Sequence, residues 1–156
     1  MDDVAQARSD ALDSLATLRD CIRWGASRFY EAELFFGHGT DNAFDEASWL
    51  VLHALSLPLV LDPRFHGCNI ISGELEVVVD LLLQRIETRK PAAYLTGEAW
   101  FCGLPFYVNE NVLVPRSPIG EMIQEGLQPW LGDIEPDAVL DLCTGSGCIG
   151  IASALA

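Results

Sequence analysis

Lysine is nearly missing from this chain: Lys90 is the only one, and lysine plus arginine total 9 against 23 aspartates and glutamates, a formal net charge of −14. Nucleic acids are held largely through phosphate contacts from basic side chains, so this field disfavours direct nucleic-acid binding. It suits a basic partner, or serves solubility alone. The five cysteines, at 21, 68, 102, 143 and 148, contain no C-x-x-C pair and are odd in number, which argues against a disulfide framework or a zinc site and for reduced thiols. His38, His53 and His66 lack metal-ligand spacing, so no metal site is expected, and His53, inside an apolar helical run, reads as a packed side chain. Long apolar runs are absent too. The longest, Trp49 to Leu61, is interrupted by His53, Ser56 and Pro58 and falls short of the roughly 20 residues a bilayer span needs. Asp2, Asp3, Arg8, Asp10 and Asp13 leave no signal or transit pattern at the start, and there is no internal repeat or low-complexity stretch. The expectation is a soluble cytoplasmic protein without a membrane partner.

What is present is enough for a core: 156 residues, half of them apolar. Ala11, Leu12, Leu15, Leu18, Ile22, Ala26 and Phe29 recur at three- and four-residue steps, predicting one amphipathic helix from Val4 to Phe29. Gly37-His38-Gly39-Thr40-Asp41-Asn42 breaks the pattern, and Asp41 or Asn42 can cap a second helix through Phe44, Ala47, Leu50, Val51 and Ala54. After a loop marked by Pro63, Gly67 and Asn69, Ser72 with Glu74 and Glu76 starts another helix, whose apolar stripe is Val78, Leu81, Leu82 and Ile86 before Pro91. Residues 1–90 thus read as a small helical bundle. From Pro91 the composition changes. Trp100, Phe101, Phe106, Tyr107 and Val108 flank Gly103-Leu104-Pro105, predicting a β-hairpin in a connector over 91–116. Ser117 and Pro118 form an N-cap and first-position pair for a helix over Ile119, Met122, Ile123 and Leu127, closed by Pro129, Gly132 and Pro136. Ala138 to Cys143 then reads as the first buried strand of an α/β domain beginning at 117.

The densest chemical signal follows that strand: Asp141-Leu142-Cys143-Thr144-Gly145-Ser146-Gly147-Cys148-Ile149-Gly150. It satisfies G-x-G-x-x-G in a strand, turn, helix context, where glycines let the backbone approach a ligand and the incoming helix points free amides at it. In nicotinamide-type loops the discriminating acid lies about 20 residues further on. Here Asp141 precedes the first glycine by four residues, a spacing that looks like motif I of S-adenosylmethionine-binding methyltransferases. A glycine turn that binds nothing is the plain alternative. Ser146 is not a nucleophile elbow, since G-x-S-x-G would need glycine where Thr144 stands. The chain stops at Ala156, before a βαβ crossover of about 30 residues could be completed.

Four segments in order, Pro91-Ala92-Ala93-Tyr94-Leu95-Thr96-Gly97, Phe101-Cys102-Gly103, Val112-Leu113-Val114-Pro115-Arg116 and Asp141 to Gly147, resemble the HemK-related protein-(glutamine-N5) methyltransferases. Pro115-Arg116-Ser117-Pro118-Ile119-Gly120-Glu121, Gly37 to Asn42 and Ala99 to Gly103 resemble the PrmB branch, which acts on ribosomal protein L-three of the large subunit. The resemblance implies a helical substrate-recognition domain over 1–90, a hairpin connector over 91–116, and over 117–156 the first strand and turn of an incomplete Rossmann-like methyltransferase domain. It implies S-adenosylmethionine as cofactor, held by Asp141, Cys143, Thr144, Gly145, Ser146 and Gly147. Leu113, Pro115 and Arg116 would form a wall beside that pocket or act only structurally. The family's Asn-Pro-Pro-Tyr motif, which holds the substrate amide, is absent here, as is the acid expected after the second strand. No catalytic residue is therefore assigned, and the chain alone is expected to be inactive. A non-catalytic module that binds a basic ribosomal protein is the alternative, and a nicotinamide oxidoreductase a distant third. Val139, Leu140 and Leu142, without sheet neighbours, raise the expectation of self-association or local disorder.

Overall fold

The computed structural model describes residues 2–128, 130–132, 134 and 136–156, which form two compact units, Met1–Thr96 and Gly97–Ala156. The first unit holds five helices: α1 (Asp2–Ser14), α2 (Leu18–Glu31), α3 (Ala43–Ala54), α4 (Ser72–Thr88) and α5 (Ala92–Thr96). The single helix expected over Val4–Phe29 is in fact two. Apolar periodicity runs on through Leu15 and Leu18, but Thr17 offers its backbone a better arrangement. Its hydroxyl accepts from the Asp20 amide at 3.2 Å while the Asp20 carboxylate accepts from the Thr17 amide at 3.0 Å, a reciprocal cap. That carboxylate is held below its ordinary range, first by the Thr17 hydroxyl and then by the Thr17 amide. The freed backbone pairs across to the 68–70 segment, with the Ile70 amide donating to the Ala16 carbonyl at 2.9 Å and the Leu18 amide to the Cys68 carbonyl at 3.3 Å.

The expected starts of α3 and α4 are observed. The Asn42 side chain accepts from the Asp45 amide at 3.0 Å, and α4 begins at Ser72 with Glu74 accepting from the Ile71 amide. α4 ends at Arg89, in the left-handed region at φ 57°, ahead of Pro91. Pro91 opens the short α5, which the sequence reading had placed in the connector. The core lies between α2, α3 and α4, where Cys21, Ala26, Phe29, Ala47, Leu50, Val78, Val79 and Leu82 have no exposed surface. Gly25 sets how closely these helices approach: a Cβ there would lie 2.9 Å from Leu82 Cδ2 and 3.3 Å from Ala47 Cβ. Burial pushes the Cys21 thiol up to about 11, with the Asp20 charge adding to the shift, so this cysteine is protonated and inert. His53, expected to be packed, is exposed near the end of α3 beside Val77 and Asp80.

The second unit opens with the expected hairpin, β1 (Glu98–Phe101) antiparallel to β2 (Leu104–Tyr107), in the register Glu98 to Tyr107 and Phe101 to Leu104. Its turn is Cys102-Gly103 and not the expected Gly103-Leu104-Pro105, because Leu104 and Pro105 pair within β2; φ of 50° and 76° give the mirror-image turn whose twist matches a hairpin. Phe101 packs with Ile123, Cys148 and Ala152 in a small core, joining the hairpin to α6 (Ile119–Gln124) and α7 (Cys148–Leu155). α6 begins one residue later than expected, with Ser117 Oγ accepting from the Ile119 amide at 3.2 Å, and Pro129, expected to help close it, lies outside the described residues.

The strand expected over Ala138–Cys143 is not formed. Residues 138–143 belong to no ladder, and Val139, Leu140 and Leu142 are 59%, 81% and 75% exposed. A parallel strand is defined by pairing and stabilised by burial on both faces. The β1–β2 hairpin is the one sheet among the described residues, and it does not pair with this segment. No helix among the described residues is long and apolar enough to cross a membrane.

Candidate functional site

The turn at 141–150 is built from its own hydrogen bonds. Thr144 Oγ1 donates to the Asp141 carbonyl at 3.2 Å, and the Gly147 amide donates to the Thr144 carbonyl at 2.9 Å. Ser146 Oγ accepts from the Cys148 amide at 3.4 Å, one residue ahead of Gly147, the N-cap of α7. The Asp141 carboxylate reaches forward over the same helix, where Oδ2 accepts from the Gly150 amide at 3.2 Å. A Cβ on Gly150 would lie 3.2 Å from that oxygen and 3.4 Å from Asp141 Cβ, so glycine at 150 lets the acid lie against the first turn. This link between Asp141 and the helix was not foreseen from sequence.

Three successive reversals shape the loop, at Cys143, Gly145 and Gly147, with φ of 59°, 57° and 76°. Left-handed backbone costs an ordinary residue roughly 1–2 kcal/mol and glycine very little. At Gly147 a Cβ would meet Ile151 Cδ1 and Thr144 Cγ2 at 3.7 Å, ordinary contact, so the backbone and not space favours glycine there. Gly145 is open, with nothing within 4 Å. Cys143, Thr144 and Gly145 are exposed, while Asp141, Ser146 and Gly147 are half-buried. The structure therefore gathers Asp141, Cys143, Thr144, Gly145, Ser146 and Gly147 into one turn at a helix start. Leu113 and Arg116 stand exposed on an irregular segment and Pro115 is buried. Among the described residues no group of three His, Cys, Asp or Glu side chains gathers to hold a metal ion.

The turn thus places two left-handed glycines directly before the helix, with the Asp141 carboxylate bonded to the amide of its third residue. No family model matches the chain. Its relatives are more specific. It is 56% identical over 142 residues to the protein of Xanthomonas campestris pv. campestris named ribosomal protein uL3 glutamine methyltransferase, covering 91% of this chain and 46% of that protein. Proteins of the same name match at 55% over 142 residues in Xylella fastidiosa and at 52% over 144 residues in Bordetella pertussis, covering 46% and 48% of their lengths. The chain is thus homologous to part of these methyltransferases, and it spans about half the length of the curated relatives it matches.

Proposed function

We propose that this chain is the N-terminal part of an S-adenosylmethionine-dependent enzyme that methylates the N5 nitrogen of a glutamine side chain in ribosomal protein uL3. The 52–56% identity over nine-tenths of the chain to relatives of that name carries the reading. Residues 1–90 serve substrate recognition, 91–116 connect, and 117–156 begin the donor-binding domain. The partner is the ribosomal protein itself, met in the cytoplasm, with no direct contact to nucleic acid.

The turn fits the donor: Gly145 has open space above it, both glycines hold φ values that suit them, and Cys143 and Thr144 stand in solvent. Asp141, Cys143, Thr144, Gly145, Ser146 and Gly147 would hold it, with Leu113, Pro115 and Arg116 as a flanking wall. When bound, the donor supplies an electrophilic methyl group on a sulfonium. The chain's own part is positional. An amide nitrogen is a poor nucleophile because its lone pair is delocalised, so the rate depends on fixing both partners in line. Asp141 fixes the turn to α7 through Gly150, and Ser146 fixes the first helical amide. Residues 1–156 contain no Asn-Pro-Pro-Tyr to hold the amide, so this chain by itself transfers no methyl group.

The donor assignment is tested in a chimera in which this chain replaces the matching part of the Xanthomonas relative. Gly145→Ala adds a methyl group where no protein atom lies within 4 Å, and its left-handed backbone cost of roughly 1–2 kcal/mol is read separately from the urea midpoint. Calorimetric titration with S-adenosylhomocysteine is expected to show a loss of at least about tenfold, some 1.4 kcal/mol. Unchanged affinity removes the turn from the donor site and leaves an interaction module.

A further inference from the structure

We infer that the segment from Tyr30 to Asp41, the end of α2 and the loop after it, is the surface on which a cationic segment of the protein substrate docks, an inference that rests on the methyltransferase reading above. Leu34 is buried, yet its neighbour Phe35 is 73% exposed and Tyr30 is 56% exposed. The rings are ordered in pairs. Phe35 meets His38 edge to face at 5.9 Å between centroids, and Tyr30 meets Phe36 in the same way at 6.3 Å.

The backbone beneath them is clamped from α3 and α4. Arg89 donates to the carbonyls of Ala32 and Glu33 at 3.1 and 2.8 Å, and Arg85 donates to the carbonyl of Phe35 at 3.1 Å. Arg85 also forms an ion pair with Glu46, each side chain only 2% exposed, and the second Glu46 oxygen accepts from the Thr40 hydroxyl at 2.9 Å. Within the loop the Gly37 amide donates to the Thr40 carbonyl at 2.7 Å. Glu33, Gly37 and Gly39 hold φ of 49°, 120° and 115°. Glycine holds such values at little cost, but left-handed Glu33 is strained, and strained backbone persists only where its surroundings over-determine it, as at ligand clamps. Burying two charges is a poor route to stability. Here the buried pair fixes a loop whose aromatic rings stay in water, which serves binding better than folding.

The chemistry around the rings selects the partner. Glu33 and Asp41 are exposed along the loop. Of the nearby arginines, Arg28 pairs with Glu31 at 2.9 Å and Arg89 is engaged by the carbonyls. Aromatic faces with acids beside them attract guanidinium and ammonium groups. A ribosomal protein must offer such groups, because it meets RNA phosphates through lysine and arginine.

The test is titration of purified uL3 into this chain and into Phe35→Ala, the double variant Glu33→Gln with Asp41→Asn, and Phe65→Ala, an exposed ring elsewhere on the same unit. Phe35→Ala is expected to weaken binding at least about tenfold. The acid variant weakens it and flattens its dependence on salt, and Phe65→Ala leaves it unchanged, all with unaltered urea midpoints. Binding that Phe35→Ala leaves intact, or that Phe65→Ala alone weakens, overturns the docking surface and spares the methyltransferase reading. No binding by the unaltered chain removes uL3 as its substrate together with this surface.

Discussion

Arg85→Ala is expected to cost about 3–5 kcal/mol of folding stability, the usual penalty when one member of a buried ion pair is removed. Net stabilities of domains lie near 5–15 kcal/mol, so a third or more of the total is at stake. The cause is the group left behind. Glu46 is 2% exposed on α3, and without Arg85 its carboxylate keeps the Thr40 hydroxyl but loses its paired cation. The Phe35 carbonyl loses its donor at the same time. Replacing both partners, Glu46→Leu with Arg85→Met, is expected to cost less than Arg85→Ala alone, because no orphaned charge remains. Urea denaturation of the variants reads both numbers, the single change lowering the midpoint by about 1–5 M. A double variant as damaged as the single would mean that the loop bonds, and not the charge, dominate.

The second large effect is steric. Gly25→Val is expected to destabilise the helical unit by about 1–3 kcal/mol, the typical cost of overpacking a filled core. Helix propensity offers no explanation for a loss, since glycine is already the poorer helix former. The obstacle is Leu82 Cδ2, 2.9 Å from the position of the new Cβ, on a side chain with no exposed surface and Ala47 close on the other side. Leu82→Ala on its own leaves a cavity and costs about 2–5 kcal/mol. In that background Gly25→Val should cost much less, and a double-mutant cycle measures the coupling. Strictly additive losses would place the two side chains out of contact.

What the sequence disclosed depended on how local the determinant is. Asn42 and Ser72 act within a few residues, and α3 and α4 start where they were expected; the hairpin forms as well, with its turn one residue earlier than Gly103-Leu104-Pro105. The glycine turn is equally local, since its bonds run between residues at most nine apart. The break at Thr17 was hidden because the apolar period continues across it, although Thr17-x-x-Asp20 is itself a capping signature. The strand at 138–143 was read from composition, but a strand needs a partner, and none pairs with it here. The buried pair was missed because Glu46 and Arg85 lie 39 residues apart. Arg85, three residues after Leu82 and seven after Val78, occupies a core position of α4, and a charge inside an apolar stripe was the signal available.

The proposal to be tested is that this chain supplies the recognition unit and the opening of the donor site for a uL3 glutamine methyltransferase. The direct measurement is transfer of a tritiated methyl group from S-adenosylmethionine to unmodified uL3 by the chimera that joins this chain to the remainder of the Xanthomonas relative, with the 156-residue chain alone as control. The expected result is label on a glutamine side chain with the chimera and none with the chain alone. A folded chimera that binds S-adenosylhomocysteine yet leaves uL3 unlabelled, or label transferred by the chain alone, would contradict it.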